Sequence, residues 1–415
     1  MTNSSRRRCV ASRLGRLALT ALLVLGATTA LADDWLIRAA HWHDGEQDRG
    51  AGRLKVEGSR IAWVGPDSGP LPSGDDVLDV AWAIPGLIDL RSGAGRRGPQ
   101  EEASEVTPLV QSVDLLDPTS PDFERCLRAG ITTVAVEPGN RAVVGGQVSV
   151  LKTDARPLDQ RTLNPGAALW VTLGWESVIG NYAPRNFMPL GLHARRPTTR
   201  MGVASTLRRA LELAEPMSST EQAVIGRARS GRWPTFMQAR KEVDIRTALG
   251  FAASHGLRPV LVEATEAYRH VELIAEAGAP VVLGPFYGQP RIGAEFWEGD
   301  DHRLATASLL AEGGVPVAIG TGRLTDPDDL RTAASLAARH GLDDDLAVAA
   351  ITRVPAEILG LSHRLGQLRA GSDADVVLLD GPPLSPGSRV VGVLVEGRLA
   401  WSAPSLLAPA SESTP

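Results

Sequence analysis

Eight short apolar runs punctuate the middle of the chain, at residues 83–90, 132–136, 147–151, 168–173, 235–238, 260–262, 281–283 and 317–319. Each is too short for a helix and apolar without alternation, the pattern of a strand covered on both faces. Between several of them apolar positions recur every three or four residues, which predicts helices over 206–214, 246–254, 269–277, 303–312 and 330–339, most ending near a glycine. Strand–helix alternation of this number predicts an α/β fold, a parallel (β/α)8 TIM barrel. The flanks read differently. Residues 35–40, 53–56 and 60–64 alternate around Asp44-Gly45, Glu57-Gly58 and Gly65-Pro66, and residues 375–379, 390–395 and 398–401 repeat that style around Glu396-Gly397; both stretches predict hairpins. Residues 177–199, with Pro184, Pro189 and Pro197, read as a long loop, either a lid over the barrel mouth or a plain surface excursion. The Ser-, Ala- and Pro-rich stretch 403–415 reads as a disordered tail.

The first 32 residues stand apart from this pattern. Arg6, Arg7, Arg8, Arg13 and Arg16 precede an apolar run at 17–26, and Ala30-Leu31-Ala32 offers a small-x-small cleavage site. That arrangement predicts an export signal cut after Ala32 and a periplasmic or secreted mature protein; the run is shorter than the roughly 20 residues a membrane anchor needs. Ser5-Arg6-Arg7 hints at twin-arginine export without deciding between routes. Five arginines and no acid leave with this segment, which moves the formal charge from −5 to −10. An acidic mature chain excludes the basic surface that nucleic acid or an anionic membrane would require. Cys9 leaves as well, so Cys126 is alone, no intrachain disulfide is available, and a helical position at 123–129 makes it a small core residue rather than a nucleophile.

Several longer strings carry a resemblance. Ile84-Pro85-Gly86-Leu87-Ile88-Asp89-Leu90, Glu105-Val106-Thr107-Pro108, residues 129–134 (AGITTV), Gly145-Gly146-Gln147, residues 197–202 (PTTRMG), Thr265-Glu266-Ala267-Tyr268, residues 314–319 (GVPVAI), residues 355–360 (PAEILG) and Gly371-Ser372-Asp373-Ala374-Asp375 follow one another in order. Together they are similar to the amidohydrolase superfamily, in the imidazolonepropionase-like, Gly-Gly-Gln-containing subgroup, from about Trp35 to Trp401. The resemblance implies that both chain ends build one small β-sandwich beside the barrel. The expected organisation is a signal at 1–32, sandwich strands at 33–82, the barrel at 83–362, the remaining sandwich strands at 363–402, and the tail at 403–415.

The same resemblance implies zinc or another divalent metal, held by His-x-His after strand 1, often a lysine after strand 4, a histidine after each of strands 5 and 6, and an aspartate after strand 8. Each ligand sits at a strand's C-terminal end so that all converge on one activated water. This chain departs at every position: Arg91 and Gly93 stand in the first two, Trp170 in the third, then Gln238, Glu263 and Gly322. Arginine is cationic, glycine has no side chain and glutamine is a poor ligand, so only Glu263 remains as a donor and no metal cofactor is expected. The histidines do not rebuild the set. His41 and His43 lie in the flanking hairpins and read as a solvated pair; His255 and His340 each precede a glycine at a helix end.

An emptied mouth must satisfy its polar groups in another way. Arg91 and Glu263 are expected to pair where a metal would sit, with Trp170 filling volume; the competing reading has Arg91 solvating the rim. Lys152, closing the third strand, and Arg200, opening a helix, are candidate cations for an anionic ligand or plain surface residues. Glu137, Glu176 and Glu263 lie near strand ends, where two carboxylates could perform acid–base chemistry without metal. No serine elbow, P-loop or dinucleotide glycine pattern is present. The expectation is an altered or inactive relative of C–N bond hydrolases that binds a small molecule or pairs with itself or an active paralogue; the alternative is a hydrolase of a cyclic amide or related C–N bond with non-standard ligands.

Overall fold

A computed structural model of the chain describes residues 34–68, 77–98, 100–101, 103–178, 197–214, 216–285, 302–322, 327, 329–404 and 406. The expected export signal and nearly all of the expected loop at 177–199 and tail at 403–415 lie outside these residues. The chain opens with β1 (Trp35–Trp42), β2 (Gly52–Glu57), β3 (Arg60–Pro66) and β4 (Val77–Pro85). The next eight strands are β5 (Leu87–Ser92), β6 (Ile131–Val136), β7 (Val144–Lys152), β8 (Thr162–Thr172), β9 (Pro234–Ala239), β10 (Arg258–Glu263), β11 (Val281–Leu283) and β12 (Val317–Ile319). Then follow β13 (Val376–Leu379), β14 (Val390–Val395) and β15 (Arg398–Ser402).

β5 to β12 hydrogen-bond in chain order into an eight-stranded sheet. It closes on itself where Ser92 bridges Gly322 in parallel and Gly322 N–H donates to Arg91 O at 2.8 Å. Seven of the eight apolar runs lie in this barrel, and the first is divided by Gly86 between β4, outside it, and β5. Its interior is packed by Ile88, Leu90, Ala135, Val148, Val150, Ala168, Trp170, Phe236, Val260, Val262, Val282 and Ala318, so it is a filled core and not a channel.

One strand corrects the all-parallel expectation: β7 runs antiparallel to both β6 and β8. The cause is connection length. The links at 137–143 and 153–161 are shorter than the dozen or so residues a parallel crossover needs, and the second holds a single helical turn, Leu158–Arg161.

Helices cover the outside, with end signals in the sequence. Pro121–Arg128 starts on Ser120, whose hydroxyl accepts from Asp122 N–H, has Pro121 in its first turn, and buries Phe123, Cys126 and Leu127. Ser219–Arg229 opens with a Ser218–Glu221 capping box. Glu242–His255 ends on Gly256 at φ 68°, a left-handed cap open to glycine. The strands from the two chain ends form a separate seven-stranded sheet, ordered β15-β14-β13-β4-β1-β2-β3. This sheet encloses its own core of Ile37, Leu54, Val56, Ile61, Leu78, Val376, Leu378 and Leu394. It meets the base of the barrel, where Gly86 N–H donates to Asp375 O at 2.9 Å.

Candidate functional site

The C-terminal ends of the parallel strands gather Arg91 on β5, Glu137 just beyond β6, Gln238 on β9, and Glu263, the last residue of β10. Arg91 is the hub. Its Nε donates to Glu137 Oε2 at 3.1 Å, its Nη1 lies 2.5 Å from Glu263 Oε1, and Nη1 also reaches the carbonyl of Gly284 at 3.4 Å. Gln238 Nε2 donates to the other oxygen of Glu263 at 2.9 Å. Both Arg91 and Glu137 are only 1% exposed, so the expected Arg91–Glu263 pair is present inside the mouth, and the rim-solvating alternative is not what the chain adopts.

Two further arginines that the strand pattern did not single out complete the cluster. Arg96 Nη1 lies 3.5 Å from Glu137 Oε1, and Arg240 places Nε 3.7 Å from Glu263 Oε2 and Nη1 3.4 Å from Glu176 Oε1. Arg240 follows β9 by one residue, a position that strand-end reasoning could have flagged. His302 lines the same small cleft as Glu263, Gly284 and Pro285; burial and the Arg240 charge hold its pKa below the ordinary histidine value.

The backbone is shaped around the guanidinium. Asp89, buried, accepts from Arg91 N–H, from Thr321 N–H at 3.1 Å and from Thr321 Oγ1 at 2.6 Å, tying β5 to the segment after β12. Burial raises the Asp89 carboxyl pKa despite these hydrogen bonds. Gly322 has φ 81°, and a Cβ there would stand 3.2 Å from Pro285 Cδ and 3.6 Å from Arg91 Nη1. The left-handed φ and the close proline ring favour glycine at this position. Glu263 itself adopts φ 66°, a left-handed conformation that costs a non-glycine residue of order 1–3 kcal/mol.

The electrostatics follow from one low-dielectric cluster. Burial opposes the Arg91 charge, but Glu263 and Glu137 more than offset it and raise the guanidinium pKa. Arg96 is pushed the other way, first by burial and then by Arg91, with Glu137 only partly compensating. Glu176 is pushed up to about 7, chiefly by burial and next by the Glu263 carboxylate, while Arg240 and Arg91 pull it down. Buried atoms here that make no hydrogen bond include Arg91 Nη2, Arg96 Nη1 and Gln238 Oε1.

Three other sequence candidates fall elsewhere. Trp170 is fully buried in the barrel interior, tilted against Phe236 at 6.4 Å, with Nε1 donating to Thr172 Oγ1 at 3.1 Å; it fills volume. Arg200 opens the helix Arg200–Leu211 and makes a two-pronged contact with Asp244, at 2.8 and 3.1 Å. Asp244 borders Gly174 beside Glu176, which puts Arg200 at the edge of the cluster. Lys152 requires a correction. Because β7 is antiparallel, its last residue lies at the opposite end of the barrel, fully buried against Asp375 and 3.5 Å from Asp373 of the flanking segment. The solvated reading of His43 is also corrected: it is 2% exposed, accepts from Gly45 N–H at Nδ1 and pairs through Nε2 with Asp345 at 3.1 Å. His41 stacks on Trp82 and contacts Asp48 instead.

These residues do not fit a divalent metal. The two carboxylates that could donate, Glu137 and Glu263, both face the Arg91 guanidinium, and a dication would have to displace that cation or lie against it. Among the described residues no three His, Cys, Asp or Glu side chains converge on one point.

Comparison with known proteins finds similarity to amidohydrolases. The model of the Amidohydrolase family matches residues 229–400. Amidohydrolase tasK of Hapsidospora irregularis is 25% identical over 368 residues, covering 78% of this chain and 36% of that protein. An imidazolonepropionase of Xanthomonas oryzae pv. oryzae is 32% identical over 117 residues, 27% of this chain and 29% of that protein. The matches thus span about a third of the length of these curated relatives. Among solved structures, an amidohydrolase from Thermotoga maritima superposes with a TM-score of 0.79 at 24% identity, covering 89% of this chain and all of that one.

Proposed function

We propose that the chain, which is similar to the Amidohydrolase family over residues 229–400 and to an amidohydrolase in fold, is an exported member of the amidohydrolase superfamily whose mouth holds an arginine–carboxylate cluster in place of a metal centre. The family's reaction is hydrolysis of C–N bonds. In this reading the protein has given up metal-assisted hydrolysis and binds a small molecule at the mouth, alone or beside an active relative. The observation that carries it is Arg91 between Glu137 and Glu263, at 3.1 and 2.5 Å. A guanidinium supplies positive charge and directed donors, but it has no open coordination position and cannot lower the pKa of a bound water as a metal does.

A second reading keeps hydrolysis without metal. Glu176, pushed to about 7, and Glu263, engaged by Arg91 and Gln238, are neighbouring carboxyls in different environments, the condition for dividing acid and base roles. The two readings separate in one assay. Purified mature protein is offered lactams, hydantoins and dipeptides, with and without added zinc. The first reading predicts no turnover in either condition. Turnover lost in Glu263→Gln and Glu176→Gln would establish the second, and turnover that needs zinc would overturn the first.

A further inference from the structure

Two of the buried arginines share one carboxylate. Glu137 faces Arg91 through one oxygen and Arg96 through the other, at 3.1 and 3.5 Å. The Arg91 side chain is 1% exposed and that of Arg96 is 9% exposed, so the first guanidinium is closed to bulk water and the second largely so. Each nevertheless carries a buried N–H group without a hydrogen-bond partner, Arg91 Nη2 and Arg96 Nη1. Leaving such donors unmet costs free energy, more for charged groups than for neutral ones.

Charge in the cluster points the same way. Arg91, Arg96 and Arg240 face Glu137, Glu263 and Glu176. Glu176 is the carboxyl that burial and Glu263 push toward its neutral form, and the Arg91 charge works against that of Arg96. With Glu176 protonated, these six groups carry one positive charge in excess.

We propose that Arg91 and Arg96 form a binding site for the carboxylate group of a small organic acid, whose two oxygens take the unmet Arg91 Nη2 and Arg96 Nη1 donors. Two guanidiniums flanking a planar anion suit a carboxylate, and charge-assisted bonds of this kind are the strong ones. Gln238 Oε1, also unmet and hydrogen-bonded through its amide to Glu263, remains available to a hydroxyl or amino group on the same ligand. The inference rests on the reading of the mouth as a ligand site and adds the class of ligand.

The test is a calorimetric titration of the mature protein with acetate, glycolate and inorganic phosphate, repeated on Arg96→Gln and Arg96→Lys. Metal content is measured on the same samples. Glycolate is expected to bind more tightly than acetate, and phosphate more weakly than either. Loss of one charge-assisted donor in Arg96→Gln is expected to weaken carboxylate binding about tenfold or more, with Arg96→Lys intermediate. Circular dichroism and urea unfolding check that each variant is folded, and Arg96→Lys keeps the test readable if Arg96→Gln is not. No carboxylate binding at millimolar concentration, binding indifferent to Arg96, or a crystal of the acetate-soaked protein showing only ordered water on Arg91 Nη2 would overturn the inference. Tightest binding of phosphate would reassign the site to inorganic oxyanions and overturn it as stated. A metal-bearing sample would instead sink the proposed function, so the two failures are distinguishable.

Discussion

The barrel buries a cluster of charges at each end, and the two are built differently. At the base, Lys152 lies against Asp375 and Asp373, Asp375 also accepts from Glu396 N–H and Thr132 Oγ1, and Arg364 holds Asp373 in a two-pronged pair. No buried side-chain atom of Lys152, Asp373 or Asp375 is left without a partner. At the mouth, Arg91 Nη2 and Gln238 Oε1 are unmet, Glu263 is held at a left-handed φ, and Glu176 is displaced to about 7. A saturated buried network joins one part of a fold to another. An unsaturated one stores unmet polar capacity at the face where barrels of this kind bind ligands.

The sharpest way to break this contrast is to remove the central cation at each end. Lys152→Met leaves Asp375 buried with only neutral donors, and the expected loss is about 3–5 kcal/mol of stability in urea unfolding at neutral pH. Arg91→Met should cost less, about 2–3 kcal/mol, because Glu137 keeps Arg96 and Glu263 keeps Arg240. A larger loss at the mouth than at the base would invert the assignment of structural and functional ends.

Glu176 sharpens it through pH. Its carboxyl is raised from the ordinary value of 4.5 to about 7 in the folded chain. The folded state therefore prefers the protonated form: this contribution is fully present below about 4.5, falls away as pH rises toward 7, and is flat above. Glu176→Gln is expected to be more stable than the parent at pH 8 by about 2 kcal/mol and nearly equal to it at pH 4.5. Unfolding curves at the two pH values check this, and a gap that is the same at both would refute it. The smallest effect is expected at the rim, where Arg200→Ala removes a partly exposed pair with Asp244 and should cost about 1 kcal/mol or less.

The same contrast explains what is legible in the sequence. The barrel strands are readable because both-face burial leaves uninterrupted apolar runs, and the flanking sheet because its strands alternate. The Arg91–Glu263 pair is readable because strand ends converge and the residues standing there have complementary charge. Lys152 is misplaced for a single reason: the apolar run at 147–151 looks the same in either direction, and only the short links at 137–143 and 153–161 reveal that β7 is reversed. Arg96 escapes notice because it lies beyond β5, in a segment whose path depends on tertiary packing, whereas Arg240, one residue past β9, is within reach of strand-end reasoning. His43 escapes because a hairpin position gives no sign that the barrel's Asp345 will cover it.

The central claim is that a guanidinium occupies the place of a metal at the mouth of this barrel. It is tested most directly by the metal content of the protein, purified without chelator and then incubated with zinc, manganese or cobalt and desalted. The account predicts far less than one bound ion per chain in every case, unchanged in Glu137→Gln and Glu263→Gln. One tightly held divalent ion per chain, lost in those variants, would contradict it.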